Sequence, residues 1–364
     1  MNQTPRIAFC GPIAEGGRPA IGGKESGNRT IVARLRDKTV AVAVYPYPRT
    51  DRDGSALIKI AVYGAGFTSL LVRLAGSSKS WDVLHFNGHL RQFIYFEWVF
   101  LVLARLLGKR VVTHVRAGDM RVQYQRRSGL YRRIFDRLLR SSDAVAVQGL
   151  EDMKFVDRLR PGLAFYLPNF VADPAHENPS LNAPGERLEL VSVGLVAPSK
   201  GVETTIQAAR ALATRGLLVR LTIIGGGERN YVDSLKAASG DAPVRWLGAV
   251  DHGAVRDTVR GCHVFVFPTV WPGEGHSNAL TETMAEGVVP VCSDHGFNRR
   301  IVADAGLVLP PGASGSDYAE AITELWNEGS WPTYSRKCND RVNAMYTADA
   351  VIDKLIRLYS SLRS

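Results

Sequence analysis

Alternation is the feature that most limits what this chain can fold into. Short runs rich in Val, Ile and Phe are separated by longer stretches of helical periodicity, and the cycle repeats along the chain. In the first half the runs are RIAFCG (6–11), TVAVAVY (39–45), VLHF (83–86), RVVTHV (110–115), AVAVQ (144–148) and AFYLP (164–168). In the second half they are LELVSVG (188–194), LVRLTIIG (218–225), VRWLG (244–248), CHVFVFP (262–268), VVPVCSD (288–294) and GLVLPPG (306–312). Near-continuous apolar strands are buried on both faces, as in a parallel sheet covered by helices. Helices are expected over 129–140, 201–215, 228–239, 251–260 and 347–362, the first with an apolar stripe of Leu130, Ile134 and Leu138 beside Tyr131, Phe135 and Leu139. The proline-rich stretch 173–186 breaks the pattern and reads as a linker.

The expected fold class is therefore α/β: two doubly wound, Rossmann-like domains facing a central cleft. The expected bounds are 1–175, a linker at 176–187, 188–345, and a C-terminal helix over 346–364 that could pack back on the first domain. A chain of 364 residues suits two such cores. Four scattered cysteines without a C-x-x-C pair argue for a reducing compartment and against a zinc site. The apolar stretch Phe93–Leu107 is too short to span a bilayer and reads as a buried helix.

Charge is uneven. Residues 1–175 carry 27 Lys and Arg against 14 Asp and Glu, whereas residues 176–364 carry 18 against 21. Eight of those arginines lie between Arg116 and Arg140. Such a field fits an anionic partner for the first domain, or else a solvated basic helix face.

Chemistry concentrates in the second half. VSVGLVAPSKG places Lys200 just before a helix start, where free backbone amides attract anions. IIGGGER (223–229), with Gly225, is a second glycine turn of the same kind. Neither is a G-x-G-x-x-G or a P-loop, so nicotinamide and P-loop readings lose support. PGEGHSNALTETMAEGVVPV (272–291) holds Glu274 in a turn and Glu282 one turn into the next helix. Ser277 or Asn278 would cap that helix, leaving free amides around Asn278 to Leu280. Leu280 and Met284 would face the core, Glu282 the opposite side, and Glu286 ordinary helix surface. A carboxylate there can accept hydrogen bonds from the vicinal hydroxyls of a ribose.

These stretches, with VRWLGAVDHGAVRDTVRGCHVFVFPT, GPIAEGGRPAIGGKESGN, VVTHVRAG and YLPNFVADP, resemble GT-B-fold glycosyltransferases of the large retaining group called family 4. The resemblance is strongest over 188–312. It implies that Glu282 binds the donor ribose and Glu274 faces the transferring sugar. Lys200 and the amides of Ser277, Asn278 and Ala279 would hold the diphosphate. Gly22 and Gly23, in the loop after the first strand, would let backbone approach the phosphates. His114 would lie beside the sugar, although its residues alone fit a strand-end histidine equally well. The base would contact backbone near Val250. The resemblance further implies hexosyl transfer from a UDP- or GDP-sugar to an acceptor hydroxyl with retention, by front-face displacement and without a metal or other cofactor. The acceptor would be a lipid-linked glycan or other saccharide of a surface-polysaccharide or lipopolysaccharide pathway, rather than nucleic acid. The enzyme would work in the cytoplasm, peripheral on the inner face of the plasma membrane, its basic first domain against an anionic surface.

Leu195 departs from the pattern, standing where the family usually carries a phosphate-binding arginine; Arg18, Lys24 and Arg299 are possible substitutes. An epimerase on the same fold, or a non-catalytic relative that binds a nucleotide sugar or membrane, would share much of the motif set.

Overall fold

The computed structural model describes residues 5–13, 22–49, 55–88, 90, 93–116, 118–172 and 187–362. They form two compact units, Met1–Pro168 with Val351–Ser364, and Asn169–Ala350. The linker expected at 176–187 lies almost wholly outside the described residues.

The first unit holds β1 (Ile7–Gly11), α1 (Gly22–Asp37), β2 (Val42–Pro46), α2 (Ala56–Gly76), β3 (Val83–Gly88), α3 (Ile94–Leu106) and β4 (Arg110–Val115). It continues with α4 (Met120–Arg126), α5 (Gly129–Arg140), β5 (Ala144–Val147), α6 (Leu150–Leu159) and β6 (Ala164–Tyr166). Its sheet is six-stranded and parallel, in the order β2-β1-β3-β4-β5-β6.

The second unit holds β7 (Leu188–Val193), α7 (Val202–Thr214), β8 (Val219–Ile224), α8 (Arg229–Ser239), β9 (Val244–Gly248), α9 (His252–Arg260) and β10 (Val264–Phe267). After these come α10 (Asn278–Ala285), β11 (Val289–Ser293), α11 (Asn298–Val302), β12 (Leu307–Leu309), α12 (Gly315–Asn327) and α13 (Trp331–Met345). Its parallel sheet runs β12-β11-β10-β7-β8-β9. Read from β7 as first, that is the doubly wound order 3-2-1-4-5-6. The last helix, α14 (Ala348–Ser361), carries the chain back into the first unit.

Each strand-like run of the sequence is a strand, because two covered faces demand apolar residues at every position; β1, β3, β5, β10 and β11 are buried throughout. Two helical details differ from expectation, and a third helix has no counterpart among the expected ones. On α5, Tyr131, Phe135, Leu138 and Leu139 are buried, but Leu130 is exposed. On α3, Ile94, Phe100, Leu101 and Ala104 are buried, whereas Tyr95, Val99 and Leu106 face outward. The long helix α2 follows no amphipathic pattern, since both its inner and outer faces are apolar.

Candidate functional site

In a doubly wound sheet, ligands bind beyond the carboxyl ends of the strands where the order reverses. In the second unit that point lies between β7 and β10, which pair directly. The segments leaving them are 194–201 and 268–277, the two that carry Lys200 and Glu274.

Backbone brings these segments together. Val270 N–H donates to the Ser199 carbonyl at 2.8 Å. Gly201 has φ +72°, and a Cβ there would lie 2.4 Å from the Pro268 carbonyl oxygen. Only glycine allows both that angle and that approach. A turn from Trp271 to Glu274, closed by Glu274 N–H to the Trp271 carbonyl at 2.9 Å, then aims the carboxylate back at Lys200.

Lys200 Nζ donates to Glu274 Oε2 at 2.6 Å, and the Thr269 hydroxyl donates to the same oxygen at 2.9 Å. Glu274 is buried and Lys200 largely so, with the ammonium lying over the Phe267 and Trp271 rings. Charge-assisted bonds in such surroundings are short and strong, and each ion depends on the other for compensation. An arriving anion would offer Lys200 a second partner.

Helix α10 starts beside this pair. Ser277 is its N-cap residue, but makes no side-chain cap bond, so the first-turn amides are not occupied by it. Asn169 holds the approach instead: its Nδ2 donates to the His276 carbonyl at 2.9 Å and to Asn278 Oδ1 at 2.7 Å. Leu280 and Met284 are fully buried, as expected, each side chain contributing about 1.5–3 kcal/mol.

Two cavities flank the helix start. One, of about 80 Å³, is lined by Gly194, Leu195, Lys200, Ser277 and Ala279 among others. The second, of about 230 Å³, is lined by His252, Ala279, Glu282 and Thr283, with apolar Val171, Val193, Val255 and Val259. Val193 and Ala279 line both. Glu282 Oε1 lies 4.0 Å from His252 Nε2. Surrounding protein raises the Glu282 carboxyl above the usual carboxylate range, an effect that His252 partly offsets. Such an acid gains from hydrogen-bond donors brought by a ligand.

Other expected residues fall as follows. Glu286 is not ordinary helix surface: its side chain is largely covered, with Arg256 Nε at 2.5 Å and Arg260 Nε at 2.8 Å, because α9 packs two guanidiniums over it, and it lines the larger cavity. Gly225 closes β8 against β7; with φ +140°, a Cβ would fall 1.7 Å from the Gly194 carbonyl oxygen. Its role is thus to shape the floor, and it lines neither cavity. Val250 is exposed before α9 and lines neither cavity either. Leu195 is half exposed. Arg299 is engaged with Asp294 at 2.9 Å. Gly22 and Gly23 open α1 instead of lying in the loop before it. Arg18 and the Lys24 side chain lie outside the described residues.

His114 belongs to the first unit, at the end of β4, and is fully buried. Asn28 Nδ2 donates to the Pro12 carbonyl at 2.8 Å, which turns Asn28 Oδ1 toward Arg116 Nη1 at 3.1 Å. The Asn87 amide therefore donates to that oxygen at 2.9 Å, and its other N–H faces His114 Nδ1 at 3.3 Å. The Asn87 amide is a donor, so this contact fits a neutral His114 that accepts at Nδ1. His85 Nε2 lies 3.2 Å from the same nitrogen, and the Tyr359 hydroxyl lies 2.6 Å from His85 Nδ1. Burial lowers His85 to about 3, keeping it neutral. Arg116, also buried, is lowered to about 10. Sequence reading found His114 but not Asn28, His85, Asn87, Tyr359 or, in the second unit, Asn169; Asn169 stood inside the quoted YLPNFVADP without a role.

Comparison with known proteins follows this division. Residues 175–343 match the family model described as Glycosyl transferases group 1. WcaL of Salmonella typhimurium, named for a glycosyltransferase role in colanic acid biosynthesis, is 29% identical over 122 residues. That alignment covers 32% of this chain and 30% of WcaL, so the match spans about a third of the relative's length. Among solved structures, sucrose-phosphate synthase of Thermosynechococcus elongatus superposes with a TM-score of 0.74 at 19% identity, covering 98% of this chain and 99% of that one. HepE of Anabaena, solved with UDP, gives 0.72 at 15% identity, covering 98% and 100%. The fold of this chain is thus GT-B, and residues 175–343 of it are similar to the family described as Glycosyl transferases group 1.

Proposed function

We propose that the protein is a glycosyltransferase that moves a hexosyl group from a nucleotide sugar to an acceptor hydroxyl with retention at the anomeric carbon. The observation that carries this reading is the start of α10, set between the Lys200–Glu274 pair and the cavity of Glu282. The amides of Ser277, Asn278 and Ala279 with Lys200 would take the diphosphate, and Glu282 the ribose hydroxyls. Binding Lys200 to phosphate would free Glu274 to face the sugar. As the diphosphate leaves, the fixed ammonium and amide dipoles would stabilise its growing charge without a metal. In a front-face displacement, the acceptor oxygen forms the new glycosidic bond as the sugar–phosphate bond breaks, and the departing phosphate takes the acceptor proton.

The donor class draws on HepE, which was solved with UDP, and the polysaccharide setting on the name of WcaL. A lipid-linked glycan acceptor, met at the cytoplasmic face of a membrane, fits the basic first unit.

The test is product analysis with UDP- and GDP-hexoses, preceded by thermal shift, since a ligand of the folded state raises its melting temperature. Glu274→Gln should retain the donor-induced shift and lose transfer about 10²–10³-fold. Transfer at the wild-type rate would remove Glu274 from the mechanism. No shift with any nucleotide sugar would remove the donor site.

A further inference from the structure

In the first unit, α2 presents an apolar outer face that stays exposed among the described residues. Leu57 is 79% exposed, Ile60 69% and Val72 67%, with Ile58 and Val62 also exposed. The segment Leu57–Gly76 is long and apolar enough to cross a membrane, with only 17% of it buried. It cannot cross while the fold stands. Both its ends join strands of one sheet, and Phe67, Leu70 and Leu74 pin its inner side to the core. The helix therefore lies along the surface.

Its neighbours extend the face. Crossovers β2–α2–β3, β3–α3–β4 and β5–α6–β6 all progress in one direction along the sheet, so right-handed connection puts their helices on the same side. Helix α3 packs against both α2 and α5. Outward on α3, Tyr95, Val99 and Leu106 follow the spacing of one helix face. Outward on α5 stand Arg132, Arg133, Arg137 and Arg140, all exposed. Beside them, Asp136 accepts from Tyr124 at 3.3 Å.

We propose that this face of α2 and α3, bordered by the α5 arginines, docks on an anionic lipid bilayer, with α2 lying in the interface. A helix parallel to the membrane buries an apolar face among headgroups while flanking cations meet anionic lipid. The arginines favour a bilayer over a second copy, because two copies meeting here would bring their guanidinium rows together without anions between them. Docking does not rest on the transferase reading.

The full chain is sedimented with vesicles of phosphatidylcholine alone and with about 30% phosphatidylglycerol. It should pellet with the anionic vesicles and remain in solution with the neutral ones. Leu57→Glu with Ile60→Glu should cut binding at least about tenfold, with circular dichroism and the melting temperature unchanged, since both side chains are exposed. Arg132→Glu with Arg133→Glu should cut it by about tenfold and weaken its salt dependence. Wild-type protein that ignores anionic vesicles, or a Leu57→Glu, Ile60→Glu variant that binds them as wild type does, overturns the proposal. So does a concentration-dependent dimer that this variant dissociates. Vesicle binding without any nucleotide-sugar shift would leave docking standing and remove the transferase reading instead.

Discussion

In the first unit the polar residues near the sheet's switch point close on one another, whereas in the second they face cavities. Tyr359, His85, His114, Asn87, Asn28 and Arg116 form a continuous hydrogen-bonded chain inside one core. Lys200, the partner of Glu274, lines one hollow and Glu282 the other, with Val193 and Ala279 common to both, and Glu282 is an acid raised by its surroundings. The two sheets share strand number and parallel sense but not strand order, which is 2-1-3-4-5-6 in the first and 3-2-1-4-5-6 in the second. A closed network fixes tautomers and geometry, while an open one leaves electrostatic demand for a ligand to satisfy.

The sharpest break of that contrast is at Lys200. Lys200→Met leaves Glu274 buried beside Thr269 alone and should cost about 3–5 kcal/mol in denaturant unfolding. Combining it with Glu274→Gln should recover most of that loss, a coupling that an exposed ion pair would lack. Next comes Gly201→Ala, which should cost about 3 kcal/mol, because it meets both a positive φ and the Pro268 carbonyl.

In the first unit the corresponding lever is acid. His85 sits at about 3 in the fold, below its usual 6.5 when unfolded. Its contribution is complete above pH 6.5 and disappears as pH falls toward 3. Stability should drop by about 2–3 kcal/mol between pH 7 and 4.5, and His85→Asn should flatten that limb of a pH–stability curve. Tyr359→Phe should cost about 1 kcal/mol and shift the His85 nitrogen resonances while leaving the donor-induced thermal shift of the second unit intact.

The smallest effect on stability is expected at Glu282. A carboxyl raised in the fold stabilises below its unfolded value and loses that contribution as pH rises through the folded one. Glu282→Gln should therefore raise the neutral melting temperature slightly while weakening nucleotide-sugar binding in calorimetry, the trade expected of a functional site.

Strands were legible in the sequence because burial on both faces writes itself as consecutive apolar residues. The turn carrying Glu274 and the helix carrying Glu282 were legible for a similar reason: their spacing is local, and Leu280 and Met284 fix which side faces the core. Glu286 was misread because its partners, Arg256 and Arg260, come from a different helix. His85 and Tyr359 went unseen since 274 residues separate them. Helix α2 escaped notice because amphipathic pattern detects helices with a polar outside, and its outside is apolar.

The sequence by itself determined the strand and helix order, the two-domain plan, the two acids and the lysine beside a helix start, all of which follow from local periodicity and spacing. Only the tertiary structure decided that Lys200 and Glu274 are ion partners, that Glu286 anchors two arginines, that His114 joins a chain of buried polar side chains, and that the outer face of α2 is apolar and exposed. Each of those depends on which distant segments the packed sheets bring within bonding distance, and no local pattern encodes that.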